Sequence, residues 1–257
     1  MSEQKWSLAL HWLIDPRGET ETEYDLCSAV TDALASTLWT GPISMTQTES
    51  MDDVALVLGD NPLTGGVVNA MLELASRHLQ HASPLSCLHM MITSTEFLYA
   101  IMNRHKTDSR YHVLLDKVQN LFTANGEDSH FTELLFVVHS PPIHWISCLI
   151  EFINGVVWFG DGFREPAPDV FVTELLKWLS EKFTTSFTVR DDLECREQND
   201  RYSCPIIAIN SIEHHVFGDE LWVPESVENE NILEIIRARD TFELFLCTFD
   251  IPSRSNT

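Results

Sequence analysis

The chain has 257 residues, enough for one large domain or two small ones, and 44% of them are hydrophobic. With seven Trp and fourteen Phe as core material, the composition is that of a soluble globular protein. The formal net charge of -23, from 39 acidic and 16 basic side chains, argues against nucleic acid as the main ligand, because phosphate binding needs clustered Lys and Arg. The charge is compatible with a protein partner that has a basic face, or with solubility alone.

Six cysteines are spread along the chain, and none forms a C-x-x-C pair, so a zinc ribbon is not expected. The start, Met1 to Trp6, has no signal-peptide pattern. No apolar run reaches the roughly 18 residues that a membrane span needs. We therefore expect an intracellular protein, cytoplasmic or nuclear, with free thiols and no membrane partner.

The first half of the chain has mainly helical patterns. The Asn61-Pro62 pair is a helix-start signal, and Val67, Met71 and Leu74 lie on one apolar face of the helix that follows. The predicted elements are, in chain order, helices over Leu26–Leu38 and Leu63–His81, a strand over Ser86–Ile92, and helices over Thr95–Arg104 and Arg110–Phe122. The Asn125-Gly126 pair indicates a turn that closes this part.

The second half of the chain changes to strand patterns. Asn154-Gly155 stands between two apolar runs and is a strong hairpin signal. The predicted elements are strands over Leu134–His139, His144–Ile153 and Val156–Phe159, a helix over Pro168–Phe183, a strand over Ser186–Arg190, and helices over Pro205–Phe217 and Pro224–Thr248. This order predicts an α+β fold in a single domain over residues 1–257, with a helical part at about 26–125 and a sheet-containing part at about 130–250.

Cys204 stands directly before Pro205, and proline is favoured in the first turn of a helix. At a helix N-terminus the helix dipole and the free N–H groups stabilise a thiolate, which is the species that attacks a carbonyl carbon. Taken alone, Cys204 fits a catalytic nucleophile and also fits a buried core cysteine.

His144 begins one strand of the predicted hairpin, and Asp161 follows the other strand, so the hairpin brings both to one edge. A carboxylate placed there accepts a hydrogen bond from the imidazole and fixes its tautomer. Trp145 follows His144 and is a flat side chain suited to lining a groove, which makes it a candidate substrate-binding residue. Taken alone, His144 also fits a structural role and Asp161 also fits a turn beside glycines.

Gln198 precedes Cys204 by six residues, across a polar stretch that predicts a loop. Such a loop can curl back and direct the amide N–H of Gln198 at an oxygen held near the thiol. A donor of this kind stabilises a tetrahedral intermediate. The alternative is an ordinary solvated loop.

Together, His144-Trp145, then Asp161, then Gln198-x5-Cys204 resemble the ubiquitin-like-protein-specific cysteine proteases of the SUMO (sentrin) type. The resemblance implies a papain-like α+β fold with a central mixed sheet flanked by helices and the nucleophile Cys204 at a helix N-terminus. It implies His144 as base, Asp161 as its orienting acid and Gln198 as an oxyanion-hole donor, without a metal or other cofactor. It also implies hydrolysis of a peptide or isopeptide bond after the C-terminal Gly-Gly of a ubiquitin-like protein, which is then the partner.

The chain departs from the pattern of this family at three places. Pro205 stands where the family has Gly, and Ser203 stands where it has Asp. Because Pro205 has no N–H, the oxyanion donors have to come from the backbone of Cys204 and from Gln198. The family's Trp-Leu-x-Asp segment corresponds here to Pro62-Leu63-Thr64-Gly65, without Trp, which leaves the identity of the substrate open.

Three other functions remain open. The first is a module that binds a ubiquitin-like protein without cutting it, although the complete Cys, His, Asp and Gln set argues against this. The second is an acyltransferase on the same scaffold, which would share the thioester and differ in the acceptor. The third is a metal site at Cys87-x-His89, for which no second ligand pair follows at a usual spacing.

Overall fold

The computed structural model describes residues 62–82, 89–106, 109–123 and 131–218, together with residues 7, 28, 31, 32, 53, 55–57 and 221. The helix predicted over Leu26–Leu38 falls mostly outside these residues, and the helix predicted over Pro224–Thr248 and the Asn125-Gly126 turn fall wholly outside them. The single domain over residues 1–257 therefore stays a prediction.

The described ranges between residues 62 and 218 contain five helices and five strands. In chain order they are α1 (Gly65–Ala82), β1 (Met90–Ile92), α2 (Glu96–Met102), α3 (Ser109–Thr123), β2 (Glu133–Ser140), β3 (His144–Glu151), β4 (Val156–Gly160), α4 (Asp169–Lys182), β5 (Thr188–Arg190) and α5 (Cys204–Phe217). Each element that the sequence predicts in this part is present, with ends shifted by a few residues. The strand predicted from Ser86 is seen only from Met90, and residues 86–88 fall outside the description.

The strands make one sheet in the order β1-β2-β3-β4-β5. Two antiparallel pairs, β2 with β3 and β3 with β4, form its centre, and parallel strands β1 and β5 form the ends. Each parallel pair is joined by a helical crossover, as parallel pairing requires: α2 and α3 connect β1 to β2, and α4 connects β4 to β5. The mixed sheet with flanking helices confirms the predicted α+β class.

Both faces of the central strands are buried. On one face, α1 and α5 pack on strand residues that include Leu135, Val137 and Leu149. On the other face, α2, α3 and α4 pack on the alternate residues, such as Phe136 and Cys148. A strand covered on both sides shows an unbroken apolar run instead of an alternating pattern, which is what β2 and β3 show in the sequence.

Most of helix α5 is buried. Its residues from Cys204 to Ile212 are all buried, and Pro205 occupies its first turn. The helix ends at Gly218, which has φ +70 and donates its N–H to the carbonyl oxygen of His214 at 2.9 Å. None of the helices in the described ranges is long and apolar enough to cross a lipid bilayer.

The β3–β4 hairpin turns at Gly155, whose φ of +63 favours glycine. A Cβ at this position would also collide with the carbonyl oxygen of Ser186. From the turn, the pairing runs from Glu151 opposite Val156 to Ser147 opposite Gly160. The hairpin therefore brings the start of β3 and the end of β4 to the same edge of the sheet.

Candidate active site

His144, the first residue of β3, and Asp161, the residue after β4, are hydrogen-bonded at that edge. The distance between His144 Nε2 and Asp161 Oδ1 is 2.9 Å. The Asp161 side chain is 4% exposed, and its Oδ1 also accepts the backbone N–H of Phe163 at 2.8 Å. The carboxylate is thus fixed from two directions, and it can hold the imidazole in one tautomer and one orientation.

Cys204 is the first residue of α5, and its thiol reaches the same edge. The thiol donates to the carbonyl oxygen of Ile143, with 3.6 Å between Sγ and the oxygen. The side chain of Cys204 also lies close enough to His144 to affect the pKa of its ring. Because Nε2 of His144 binds Asp161, Nδ1 is the ring nitrogen available to the thiol. The structure therefore brings Cys204, His144 and Asp161 together.

The environment of His144 favours its protonated form. Burial lowers its pKa, but the hydrogen bond with Asp161, the charge of the Asp161 carboxylate and the neighbouring Cys204 side chain outweigh burial and raise the pKa to about 9. At neutral pH the ring therefore carries a positive charge. This charge lies beside a thiol at a helix N-terminus, an arrangement that suits a thiolate nucleophile.

The loop before α5 is ordered by Asp200, a residue that the sequence interpretation missed. Asp200 Oδ1 accepts the backbone N–H groups of Tyr202 at 2.9 Å and Ser203 at 2.8 Å. Ser203, the N-cap residue, makes no capping hydrogen bond with its own side chain. The signal for Asp200 was available, because Asp side chains often bind backbone N–H groups two or three residues ahead in turns.

Gln198 lies next to the Asp161 loop, and its amide is already engaged. Its backbone N–H donates to the carbonyl oxygen of Gly162 at 2.7 Å. Its side-chain Nε2 donates to the backbone oxygen of Asp200 at 3.0 Å and to Asp200 Oδ1 at 3.3 Å. An oxyanion at the thiol would have to attract an N–H that Asp200 now holds, so the donor role of Gln198 stays a prediction.

Trp145 is almost fully buried, with 6% of its surface exposed. Its ring lies 4.6 Å from that of His139, centre to centre, and 3.6 Å from the position that a Cβ on Gly65 would take. The side chain is therefore part of the core under the start of α1. Its contact with a substrate stays a prediction.

No group of three His, Cys, Asp or Glu side chains that could hold a metal ion occurs among the residues for which the structure gives positions. Cys87, half of the candidate Cys87-x-His89 pair, lies outside them.

No protein-family model matches the chain, and no curated protein sequence is significantly similar to it. Solved structures, in contrast, match it over most of its length. The Ulp1-like SUMO protease catalytic domain of Chaetomium thermophilum is 18% identical, with a TM-score of 0.62, and the match covers 91% of each chain.

Two further SUMO protease structures match most of the chain at similarly low identity. The SUMO protease Ulp1 with its catalytic cysteine oxidised to a sulfonic acid is 15% identical, with a TM-score of 0.58, and the match covers 93% of this chain and 98% of that one. The C-terminal Ulp1 protease domain in complex with SMT3, the yeast ortholog of SUMO, is also 15% identical with a TM-score of 0.58, over 87% of this chain and 93% of that one. The chain therefore has the fold of the Ulp1-like SUMO protease catalytic domains.

Proposed function

We propose that this protein is a cysteine peptidase that cleaves the peptide or isopeptide bond after the C-terminal Gly-Gly of a ubiquitin-like modifier. The main support for the proposal is that Asp161, His144 and Cys204 lie together at one edge of the sheet. Asp161 is hydrogen-bonded to His144, and the Cys204 thiol lies at the start of α5. The fold supports it, because structures with this fold include SUMO proteases, one of them in complex with SMT3. We also propose that the protein acts in the cytoplasm or the nucleus.

The geometry supports a two-step mechanism. The Cys204 thiolate attacks the carbonyl carbon of the terminal glycine, and the carbonyl oxygen takes the negative charge. The Cys204 backbone N–H and Gln198 Nε2 would stabilise that charge. His144 then gives its proton to the leaving amine, the C–N bond breaks, and a thioester remains on Cys204.

In the second step, water attacks the thioester and gives a proton to His144. The C–S bond breaks, which releases the modifier with a free carboxyl group and restores the thiolate and the imidazolium. Asp161 stays ionised in both steps, where it orients the ring and stabilises its charge.

A second candidate function rests on the Gln198 side chain. Because both of its hydrogen bonds go to Asp200, and because Pro205 has no N–H to offer, the oxyanion hole is incomplete until an N–H is released. This favours, as the alternative, a module that binds a ubiquitin-like protein with weak catalysis or none.

The test uses a panel of ubiquitin-like proteins that each carry a C-terminal electrophile. We expect covalent labelling of the wild type by at least one of them, and loss of this labelling in Cys204→Ser. Cys195→Ser is the matched control, because Cys195 is also a free buried cysteine, and burial raises the pKa of its thiol to about 11. If the Cys204→Ser variant is still labelled, a residue other than Cys204 is the nucleophile.

The same panel distinguishes the candidate functions. A modifier that binds tightly but neither labels Cys204 nor is cleaved from a conjugate indicates the binding module. A thioester on Cys204 that passes to an added amine faster than to water indicates an acyltransferase.

A further inference from the structure

Phe163 is an exposed aromatic residue that lies directly on the side chain of His144. The centres of the two rings are 5.0 Å apart, and their planes differ by 26°. Even so, 43% of Phe163 is exposed. Ile143, which precedes His144, is 51% exposed, and its carbonyl oxygen accepts the Cys204 thiol. Two exposed hydrophobic side chains therefore border the Cys204–His144 pair.

The backbone around Phe163 is held in place. The N–H of Phe163 donates to Asp161 Oδ1 at 2.8 Å, and the N–H of Arg164 donates to the carbonyl oxygen of Asp161 at 2.9 Å. The Arg164 guanidinium donates to the carbonyl oxygen of Cys195 at 3.0 Å. The same carboxylate that orients His144 thus also fixes the turn that carries Phe163.

We infer that Phe163 contacts the leaving group and thereby determines which leaving groups the enzyme prefers. The inference rests on the proposed function. For His144 to protonate the leaving amine, that amine has to lie within hydrogen-bond distance of the ring nitrogen that faces Cys204. The group that bears the amine then passes beside the imidazole, where the exposed part of Phe163 lies.

The chemistry of this contact points to a lysine acceptor. In an isopeptide-linked conjugate the leaving nitrogen is the lysine Nζ, which sits at the end of a four-carbon aliphatic stem. Such a stem packs on apolar surface while its polar end stays free. The faces of Phe163 and Ile143 offer that surface next to the atoms that react, so Phe163 favours conjugates in which an aliphatic stem follows the modifier.

A stacked ring also acts on His144 itself, because an aromatic face attracts a cation such as imidazolium. The two roles are separable. An effect through His144 changes cleavage of the lysine conjugate and of the primary amide by a similar factor, because His144 protonates the leaving nitrogen in both. A contact with the leaving group changes only those reactions in which the leaving group has a stem to contact.

The experiment compares Phe163→Ala and Phe163→Leu with the wild type on three forms of the modifier that labels Cys204. The first form is joined to a lysine of an acceptor peptide, the second ends in a primary amide whose leaving group is ammonia, and the third carries the electrophile. Val170→Ala is the control, since Val170 on α4 is similarly exposed, at 52%. Thermal unfolding of each variant checks that the fold is retained.

We expect Phe163→Ala to lower kcat/KM for the lysine conjugate roughly 10- to 100-fold, the range for loss of one good apolar contact. Amide hydrolysis and labelling should stay within about threefold of the wild type, and Phe163→Leu should keep most of the activity on the conjugate. Equal losses on the conjugate and the primary amide would overturn the inference, whatever happens to labelling, as would unchanged cleavage of the conjugate. A wild type that reacts with none of the forms would instead overturn the proposed function.

Discussion

At the scale of single residues, the protonation of His144 governs the site. Two opposing effects act on it: burial disfavours the charged ring, while Asp161 and Cys204 favour it and prevail. The interactions that would activate the nucleophile therefore also add to the stability of the fold. With them, His144 binds its proton more tightly in the folded chain than in the unfolded one.

The raised pKa of His144 predicts a pH-dependent stability. Because the folded pKa, about 9, lies above the ordinary value of 6.5, this contribution is complete below pH 6.5 and is lost as the pH rises to about 9. We expect the difference in unfolding free energy between wild type and His144→Ala to shrink over this window, by at most about 3 kcal/mol. Urea unfolding at several pH values measures it, with the exposed His112→Ala as control. If the difference in unfolding free energy does not change with pH, the ion pair between His144 and Asp161 is contradicted.

The position of Gln198 predicts a strong effect on chemistry and a weak effect on binding. Removal of the amide in Gln198→Ala should slow turnover roughly 100- to 1000-fold, the usual cost of one oxyanion donor. Gln198→Glu should be at least as slow, because a carboxylate repels the developing charge. Affinity for the modifier should barely change, since the donor acts on charge that appears only in the transition state. Unchanged turnover in Gln198→Ala would show that the amide stays with Asp200 throughout the reaction.

The pairing of His144 with Asp161 was accessible from the sequence, because an Asn-Gly turn fixes a hairpin and a hairpin fixes which ends meet. The partner of Gln198 was not accessible. A side-chain amide in a loop binds whichever acceptor the loop conformation brings near, and here that is Asp200, two residues away. The burial of Trp145 was also missed, because it depends on where α1 crosses the sheet.

At the scale of elements, helices and strands with a regular apolar pattern could be predicted to within a few residues. This holds for α1, α4, α5 and the hairpin, whose patterns are long and whose ends carry Pro, Asn or Gly signals. Strands β1 and β5 were predicted as elements, but their parallel pairing with β2 and β4 could not be predicted. Strands β1 and β5 have only three residues each, and their neighbours are set by crossover helices instead of turns.

The hairpin turn itself predicts a sensitive position. Gly155→Ala should destabilise the fold by roughly 1–3 kcal/mol, because Gly155 has a positive φ and an added Cβ has no room beside Ser186. The matched control is Gly65→Ala, where the Cβ would lie 3.6 Å from the Trp145 ring, an ordinary contact. Thermal or urea unfolding of both variants measures the difference. Equal stability of the two variants would mean that the hairpin tolerates a different turn.

At the scale of the whole molecule, the charge of -23 is a property of the surface field and not of the fold. The site uses one positive charge, that of His144, inside a chain that is strongly acidic overall. Such a chain repels acidic proteins and attracts basic ones over distances of about 10 Å at 0.1 M salt and about 30 Å at 0.01 M. The field therefore acts on the encounter between the protein and its partner, before any of the contacts at Cys204 form.

This field predicts how salt affects the reaction. If the face of the modifier that meets this protein is basic, the rate constant for association should fall about tenfold or more between 10 mM and 500 mM salt, because salt screens steering. The rate of the chemical step should change little, since the Asp161–His144–Cys204 set is largely shielded from solvent. Stopped-flow binding to Cys204→Ser measures association without cleavage, and single-turnover cleavage by the wild type at saturating enzyme measures chemistry. An association rate that rises with salt would instead identify an acidic face on the partner. An association rate that does not depend on salt would mean that the net charge contributes to solubility and not to association.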